Sequence, residues 1–233
     1  MTLHRFVSRV LDYIGPYLPA GWRLPIRYYG WAFSSDVEPE ADQLFALCRN
    51  FRCAIDVGAN HGYYSYKMAQ RFERVCAFEA NSKIDYDLRH FRKPNIRLYS
   101  YGLSDAKRST DLYVPVRNGV PYIGWASLTN RNLTFADTFD LVGVELQRLD
   151  DQPFVHEMPV DLIKVDVEGH ELEVLRGGLE TIRRDKPVLI LEDNQEQREA
   201  IRSLLEGLGY RGITFAELTG LPKPSPNIIY FPL

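Results

Sequence analysis

Apolar residues follow two alternating patterns along most of the chain, short continuous runs and runs with helical spacing. The continuous runs predict strands, and the helically spaced runs predict amphipathic helices. Because strands that alternate with helices form parallel sheets covered on both faces, we predict an α/β fold with an antiparallel finish. The predicted strands span residues 53–57, 75–79, 96–103, 160–167, 187–192, 209–215 and 227–233, and the predicted helices lie at 39–49, 63–72, 82–91, 195–208 and after residue 167.

The first 40 residues predict a helix at 3–14 and then an irregular arm that is rich in proline, glycine and aromatic residues. Aromatic side chains usually pack in cores or interfaces, so we expect the arm to pack across the main domain. A lid over a bound ligand, a homodimer contact and a membrane-surface foot are the alternatives. We divide the chain into this arm, 1–40, and one domain, 41–233.

The interval from 110 to 150 breaks the alternation. Two strand-like segments, 110–116 and 142–150, flank a polar loop that contains two glycines and a proline. Long loops inside compact domains are often functional. Trp125 in this loop is suited to stack on a sugar ring, and Arg117 or Arg131 is suited to bind the phosphate of a nucleotide sugar. A self-packed surface loop is the alternative.

Composition narrows the class of protein. The chain has 233 residues and a net charge of -3, which suits one soluble domain and argues against indiscriminate nucleic-acid binding. Its three cysteines form no Cys-x-x-Cys pair, which predicts reduced thiols. No apolar run reaches the roughly 20 residues that cross a bilayer, and the N-terminus lacks a signal-peptide pattern. We expect a cytoplasmic protein without a nucleic-acid partner or a membrane span.

The segment AIDVGANHGYYS, residues 54–65, has the pattern of a strand, a turn and a helix start. Glycines let a ligand approach the backbone, and a helix N-terminus offers free N–H groups. Asp56 at the head of the turn suits a positively charged ligand better than a pyrophosphate. Glu79 ends the next strand, where a carboxylate can bind ribose hydroxyls. A plain strand-to-helix turn is the alternative.

Three motifs together resemble the FkbM-type methyltransferases, which use S-adenosylmethionine. They are IDVGANHGYYS, AFEA and IKVDVEGHELEVLRGG, and they occur in the family's order within residues 53–192. Ala80 departs from the pattern, since proline is common there. The resemblance implies a Rossmann-like class I methyltransferase fold, with a mostly parallel seven-stranded sheet and an antiparallel C-terminal strand. It adds nothing about residues 1–40.

The resemblance also implies roles for individual residues. Glu79 is expected to hold the ribose, and the turn that contains Leu103 and Ser104 is expected to border the adenine. Asp166 is expected near the transferred methyl group. The methionine end of the cofactor is expected to contact four residues of the first motif, Asp56, Gly58, Asn60 and Gly62.

The segment KVDVEGHE, residues 164–171, ends one strand and opens a helix. Ligands in such sheets bind at the carboxyl ends of strands, so Asp166 and Glu168 are predicted to be catalytic. An alcohol or phenol acceptor must also lose a proton, and His170 is the candidate base with the two acids as rivals. A lone histidine at a helix start is often only a capping or surface residue. Glu171 is equally suited to complement the helix dipole.

The segment LEDNQ follows the next strand. Glu192 matches a family acid and is predicted to contact the acceptor. Asp166, Asp193 and Asn194 are similar in kind to the magnesium ligands of catechol-type O-methyltransferases, and oxygen ligands suit Mg²⁺. We prefer a helix-capping role for Asp193 or Asn194. The expected cofactor is therefore S-adenosylmethionine, with Mg²⁺ as a secondary candidate.

Three functions remain open at this stage. The resemblance implies O-methylation of a sugar, glycan or natural-product hydroxyl, with 110–150 as an insertion near the acceptor site. An RNA or protein methyltransferase is a second hypothesis, which the acidic composition disfavours. A binding module without catalysis is the third, but such a relic is expected to lose the cofactor motif that this chain keeps.

Overall fold

The computed structural model describes residues 10, 13–33, 38–84, 86–91, 93–130, 134–221 and 225–233. The predicted helix at 3–14 lies outside these residues except for positions 10, 13 and 14, which are helical. The described strands are β1 (Cys53–Val57), β2 (Arg74–Phe78), β3 (Ile96–Tyr99), β4 (Gly102–Leu103), β5 (Arg108–Arg117), β6 (Val120–Pro121), β7 (Thr138–Gln147), β8 (Val160–Val165), β9 (Val188–Glu192), β10 (Tyr210–Thr214) and β11 (Asn227–Pro232).

The α-helices of the described residues are α1 (Ala20–Phe33), α2 (Pro39–Leu47), α3 (Tyr63–Met68), α4 (Tyr86–His90), α5 (Glu171–Gly177), α6 (Leu179–Asp185), α7 (Arg198–Gly207) and α8 (Phe215–Thr219). Short 3-10 helices lie at Gly15–Tyr17, Ile123–Trp125 and Pro153–His156. None of the helices among these residues is long and apolar enough to cross a membrane.

Seven strands form the main sheet, in the order β10-β11-β9-β8-β1-β2-β3. The pairs from β9 to β3 are parallel, whereas β11 runs antiparallel to both β9 and β10. The predicted α/β fold with an antiparallel C-terminal strand is therefore confirmed. The chain order reverses between β1 and β8, and ligands in open α/β sheets bind in the crevice at such a point.

The main sheet is buried on both faces because the side chains of each strand alternate between them. In β1, Cys53, Ile55 and Val57 join one hydrophobic cluster, and Ala54 joins the other. Helices α5, α6 and α7 cover the first cluster, and helices α2, α3 and α8 cover the second. The two cores fix β1 and β8 at the centre of the sheet.

A second sheet, in the order β4-β7-β5-β6, lies within residues 102–147. The predicted single strand at 96–103 is wrong, because β3 ends at Tyr99 and Gly102–Leu103 pairs with β7 instead. The chain bends at residues 100–101 and changes sheets. A Cβ on Gly102 would lie 2.7 Å from Leu146, so the glycine permits the close approach of β4 to β7.

Helix α1 replaces the irregular arm predicted from the prolines and glycines. Pro25 lies inside this helix, where proline costs about 3 kcal/mol. Leu24 and Tyr28 occupy one helical face and are buried. Leu24 packs with Leu88, and the Tyr28 ring stacks on Tyr63 with centroids 4.9 Å apart. This burial offsets the proline, and it shows that the described part of the arm packs on the domain.

Replacement of Leu24 tests this packing. Leu24→Ala is expected to lower the free energy of unfolding by about 2–5 kcal/mol, the cost of emptying a buried leucine site, measured by urea denaturation. Trp22 lies on the same helix with 67% of its surface exposed, so Trp22→Ala is the matched control and should change stability by about 0.5 kcal/mol or less. Equal losses for the two variants would contradict the docking of α1 through Leu24.

Candidate active site

The chain turns sharply between β1 and α3 through three residues in the left-handed backbone region. The φ angle is +80° at Gly58, +51° at Asn60 and +90° at Gly62. A Cβ on Gly58 would lie 1.8 Å from the carbonyl oxygen of Asp166, so this position requires glycine. The Asp166 N–H donates to the Val57 carbonyl at 3.0 Å. The glycine turn therefore lies directly against the end of β8.

Glu79 has a buried carboxylate that two backbone N–H groups fix in place. Asn60 N–H donates to Oε2 at 2.8 Å, and Asn81 N–H donates to Oε1 at 2.7 Å. A carboxylate has about four lone-pair sites, and two of them accept these backbone hydrogen bonds. These contacts join the end of β2 to the glycine turn.

Glu79 lies in the wall of a cavity between the two sheets, which we name the Glu79 cavity. Predicted site residues form its polar wall, namely Gly58, Asn60, Glu79, Asp166, Glu168 and His170. Its apolar wall comes from both sheets and their loops, with Phe78, Ile84, Leu103, Leu112, Ile123, Ala126, Leu128 and Leu146. Leu103 was predicted from the sequence, but the lining residues of the second sheet, such as Leu112 and Leu146, were not. Alternating apolar residues in a strand do not by themselves indicate a ligand site.

A second cavity adjoins the first and shares Gly58, Asn60 and Asp166 with it. We name it the Asp56 cavity, and its other lining residues are Glu38, Asp56, Ala59, His61, Tyr63, Tyr64 and Lys164. Glu38 lies before all the motifs, and no sequence signal marked it.

Asp56 is buried, and its Oδ2 accepts a hydrogen bond from the Ser65 hydroxyl at 2.5 Å. Burial raises the pKa of Asp56 to about 6, although the Ser65 hydrogen bond and the Lys164 ammonium act in the opposite direction. The group is therefore mainly a carboxylate at neutral pH, and it places a negative charge inside the cavity.

Lys164 is 1% exposed and is surrounded by acceptors. Its Nζ lies 2.7 Å from Asn227 Oδ1, 3.3 Å from Asp166 Oδ2 and 3.8 Å from Glu38 Oε2. It also lies 5.1 Å from the centre of the Tyr64 ring. Burial alone would lower the pKa of Lys164, but the neighbouring carboxylates, Asp166 first among them, raise it above the ordinary lysine value. The side chain is therefore a permanent buried cation.

Asp166, Glu168 and Glu192 form an acidic cluster in which one carboxylate oxygen of each lies within 4.8 Å of the others. Burial, followed by repulsion from Asp166, raises the pKa of Glu168 to about 7 and that of Glu192 to about 8. Glu192 Oε2 is buried without a hydrogen-bond partner among the described residues. The cluster can therefore take up and release a proton near neutral pH.

The other predicted metal ligands face different partners. Both Asp193 oxygens accept from the Arg198 guanidinium, at 2.7 and 2.6 Å. Asn194 Oδ1 accepts from the Glu196 N–H at 3.0 Å. The preferred capping role is not observed, because α7 begins at Arg198 with Gln197 as its N-cap. Oxygen ligands that could hold a cation are instead grouped in the acidic cluster.

His170 lies beside Ser104, with Nε2 and Oγ 2.9 Å apart. Its Nδ1 lies 3.6 Å from Glu173 Oε2. Burial lowers the pKa of His170, so the ring is neutral at pH 7. Ser104 and Leu103 are buried, and His170 therefore shares a side of the Glu79 cavity with the two residues predicted to border the adenine.

Trp125 is 55% exposed, and its ring packs edge-on against Phe135 with centroids 5.2 Å apart. The neighbouring residues 123, 124 and 126 line the Glu79 cavity, whereas the indole itself does not. Ser127 fixes this loop, because its hydroxyl donates to the Glu168 carbonyl at 2.7 Å. Arg131 lies outside the described residues.

Comparison with known proteins identifies one family along most of this site. The model of the methyltransferase FkbM domain matches residues 56–211, a range that contains the glycine turn, Glu79 and the acidic cluster. No curated protein sequence matches the chain.

Several solved structures are similar to the chain. A methyltransferase FkbM from Methylobacillus flagellatus KT has 15% identity and a TM-score of 0.55 over 96% of this chain, which spans 58% of that protein's chain. A TehB-like SAM-dependent methyltransferase from Corynebacterium glutamicum has 12% identity and a TM-score of 0.47, with 91% and 97% coverage. An rRNA methylase from Streptococcus thermophilus has 12% identity and a TM-score of 0.44, with 83% and 94% coverage. At 15% identity, the likeness to the first of these structures shows the fold alone.

Alanine substitutions at two glycines with similar φ angles distinguish the cost of a steric collision from the cost of backbone strain. Gly58→Ala is expected to unfold the site or the chain, because its Cβ would collide with the Asp166 carbonyl. Gly119 has φ +73°, and no atom of the described residues lies within 4 Å of an added Cβ, so Gly119→Ala should cost only about 1 kcal/mol of backbone strain. Urea denaturation measures both, and a comparable loss at the two positions would contradict the contact between the turn and β8.

The raised pKa of Glu192 predicts a pH-dependent cost in stability. Its folded pKa is about 8 against an ordinary 4.5, so between these values the folded state binds a proton that the unfolded state lacks. Wild-type stability should therefore fall as pH rises through this window. Glu192→Gln cannot titrate, so its unfolding free energy relative to wild type should increase from about pH 5 to about pH 9. Exposed Glu206→Gln is the control, and a flat difference for Glu192→Gln would contradict the prediction.

Proposed function

This chain belongs to the FkbM methyltransferase family, and on that premise we propose that it transfers a methyl group from S-adenosylmethionine to a hydroxyl group of a sugar, a glycan or a natural product. The observation that carries the proposal is the meeting of two cavities at Gly58, Asn60 and Asp166. One cavity combines an apolar wall with a fixed carboxylate, and the other is rich in acids. The pair is complementary to a nucleoside joined to a positively charged amino acid.

The Glu79 cavity would hold the nucleoside. Glu79 would accept hydrogen bonds from the ribose hydroxyls, since its carboxylate is held in place at the cavity wall. The apolar wall would receive the adenine ring, with Leu103 and Ser104 at its border. This assignment agrees with the apolar lining and few polar groups that are typical of cofactor sites.

The Asp56 cavity would hold the amino-acid end. Asp56 would supply the opposite charge for its cationic groups, and Gly58 lets the ligand approach the backbone closely. Asn60 and Gly62 complete the turn that these contacts need. The sites therefore fit the cofactor at both ends.

When bound, S-adenosylmethionine supplies an electrophilic methyl group on a sulfonium sulfur. The protein's part is to align an acceptor hydroxyl and to remove its proton. Glu168 and Glu192 are suited to accept that proton, since their pKa values lie near neutral pH. The Lys164 ammonium offsets the charge of Asp166 beside them, and neutral His170 is a second candidate base.

The acceptor class rests on the family resemblance and on the aromatic side chains near the cavity mouth. Trp125 exposes a ring beside the loop that lines the Glu79 cavity, and Tyr122 packs on the same Phe135. Exposed aromatic faces of this kind are suited to stack on a sugar or a planar natural product. Glu192 would contact the acceptor hydroxyl from the acidic cluster.

Cofactor binding is the first test. Wild-type protein is expected to bind S-adenosylhomocysteine, and neither NAD nor ATP, in isothermal titration calorimetry. Glu79→Gln should weaken this binding by about 10- to 100-fold, since a hydrogen bond to a charged group contributes about 1.5–3 kcal/mol. The exposed Glu73→Gln is the matched control and should bind normally. Equal affinities would contradict the ribose role, and a folded wild-type protein that binds nothing would contradict the proposal.

Methyl transfer is then measured with methyl-labelled cofactor and a panel of nucleotide sugars, glycosides and phenols, with RNA and protein for comparison. Label in a hydroxyl acceptor supports the proposal. Label found only in RNA or protein would contradict the proposed sugar, glycan or natural-product acceptor and would indicate an RNA or protein methyltransferase. Cofactor binding without any methyl transfer would indicate a binding module.

A further inference from the structure

Glu38 lies outside the segment that matches the family and has no assigned role, yet it lines the Asp56 cavity. We propose that Glu38 is a cofactor-binding residue whose carboxylate receives the ammonium group at the amino-acid end of S-adenosylmethionine. This inference rests on the proposed function. It makes the residue that precedes α2 a part of the site.

Two hydrogen bonds and one ion pair, from three different elements, hold one oxygen of this carboxylate. The Tyr64 hydroxyl donates to Oε2 at 2.5 Å, and Asn227 Nδ2 donates to the same atom at 2.6 Å. Lys164 Nζ lies 3.8 Å from it and forms an ion pair. Helix α3, strand β11 and strand β8 therefore fix the position of Glu38.

These contacts are all made to Oε2, which leaves the second oxygen, Oε1, without a hydrogen bond from the described residues. Glu38 is the N-cap residue of α2, but its side chain makes no capping hydrogen bond. The side chain is 26% exposed and lines the cavity. A carboxylate that is held by one oxygen and open at the other has the geometry of a ligand-binding group rather than a helix cap.

The charges around the cavity select a cation. Glu38, Asp56 and Asp166 line it together with one buried ammonium, that of Lys164. With all three acids ionised, the cavity has an excess of negative charge that a ligand ammonium would offset. Charge-assisted hydrogen bonds of this kind are short and strong, so the contact should contribute measurably to affinity.

The start of α2 is itself anchored, so Glu38 does not depend on the arm alone. Pro39 occupies the first turn of the helix, and Glu40 is fully buried. The Ser225 hydroxyl donates to Glu40 Oε1, and the Asn227 N–H donates to Ser225. The approach to β11 therefore holds both Glu38 and the helix that it begins.

Two ligands that differ only by the amino-acid end provide the test. Glu38→Gln should weaken S-adenosylhomocysteine binding by about 10-fold or more, the factor that corresponds to about 1.4 kcal/mol. The same variant should bind 5′-methylthioadenosine, which lacks the ammonium group, as wild type does. Calorimetric titration measures both affinities, and Glu206→Gln at a remote exposed position is the control.

Each other outcome is decisive. Unchanged affinity for S-adenosylhomocysteine, or an equal loss for both ligands, would overturn the inference while the proposed function stands. Wild-type protein that binds neither ligand would overturn the proposed function itself. If Glu38→Gln does not fold, Tyr64→Phe removes the donor to Oε2 and should produce a smaller loss that is again confined to S-adenosylhomocysteine. Loss for neither ligand, or for both, would then overturn the inference.

Discussion

The contact between the ends of β1 and β8 is the constraint on which the site depends. Gly58 passes so close to the Asp166 carbonyl that no side chain fits between them, and the Asp166 N–H bonds to Val57. Inside the sheet the same pairing sets Asp56 opposite Lys164. One strand end carries the glycine turn and the other carries the acidic motif. A single backbone contact therefore places the cofactor motif and the acids in one crevice, at the point where the strand order reverses.

The buried charge of Lys164 determines how the surrounding elements assemble. An ammonium group in the interior costs several kcal/mol unless it is paired and hydrogen-bonded. Lys164 meets this requirement with Asp166 on its own strand, Asn227 on β11 and Glu38 at the start of α2. The network therefore draws distant segments toward the strand end. The acids of the cluster have the opposite effect, because the part of the chain that the structure describes gives Glu192 no hydrogen bond at its buried Oε2. The site keeps carboxylates in an unfavourable environment, and their raised pKa values are the chemical result.

The pattern of apolar residues predicted those strands and helices in which buried positions recur at regular intervals. The predicted bounds of β1 coincide with the observed Cys53–Val57, since a continuous apolar run between two cores has little freedom. The arm was predicted incorrectly. Pro25 favours the end of a helix when only the neighbouring residues are considered. The burial of Leu24 and Tyr28 against α3 and α4 outweighs the cost of a proline inside α1. That burial depends on residues far along the chain, and no local rule reports it. Glu38 was missed for the same reason, because its two hydrogen-bond donors and its ion-pair partner come from three distant elements.

The members of the acidic cluster could not all be predicted from the residue types of its motifs. The segment Glu192-Asp193-Asn194 offers three oxygen-bearing side chains in a row, and composition does not say which one meets Asp166. Register does. Val165 pairs with Leu191, so the next residues along the two strands are Asp166 and Glu192. Successive side chains at a strand end point to opposite faces, and Asp193 accordingly faces Arg198. The pairing of β8 with β9 therefore determines that Glu192, and not Asp193, lies on the same face as Asp166, and the residue types alone do not determine this.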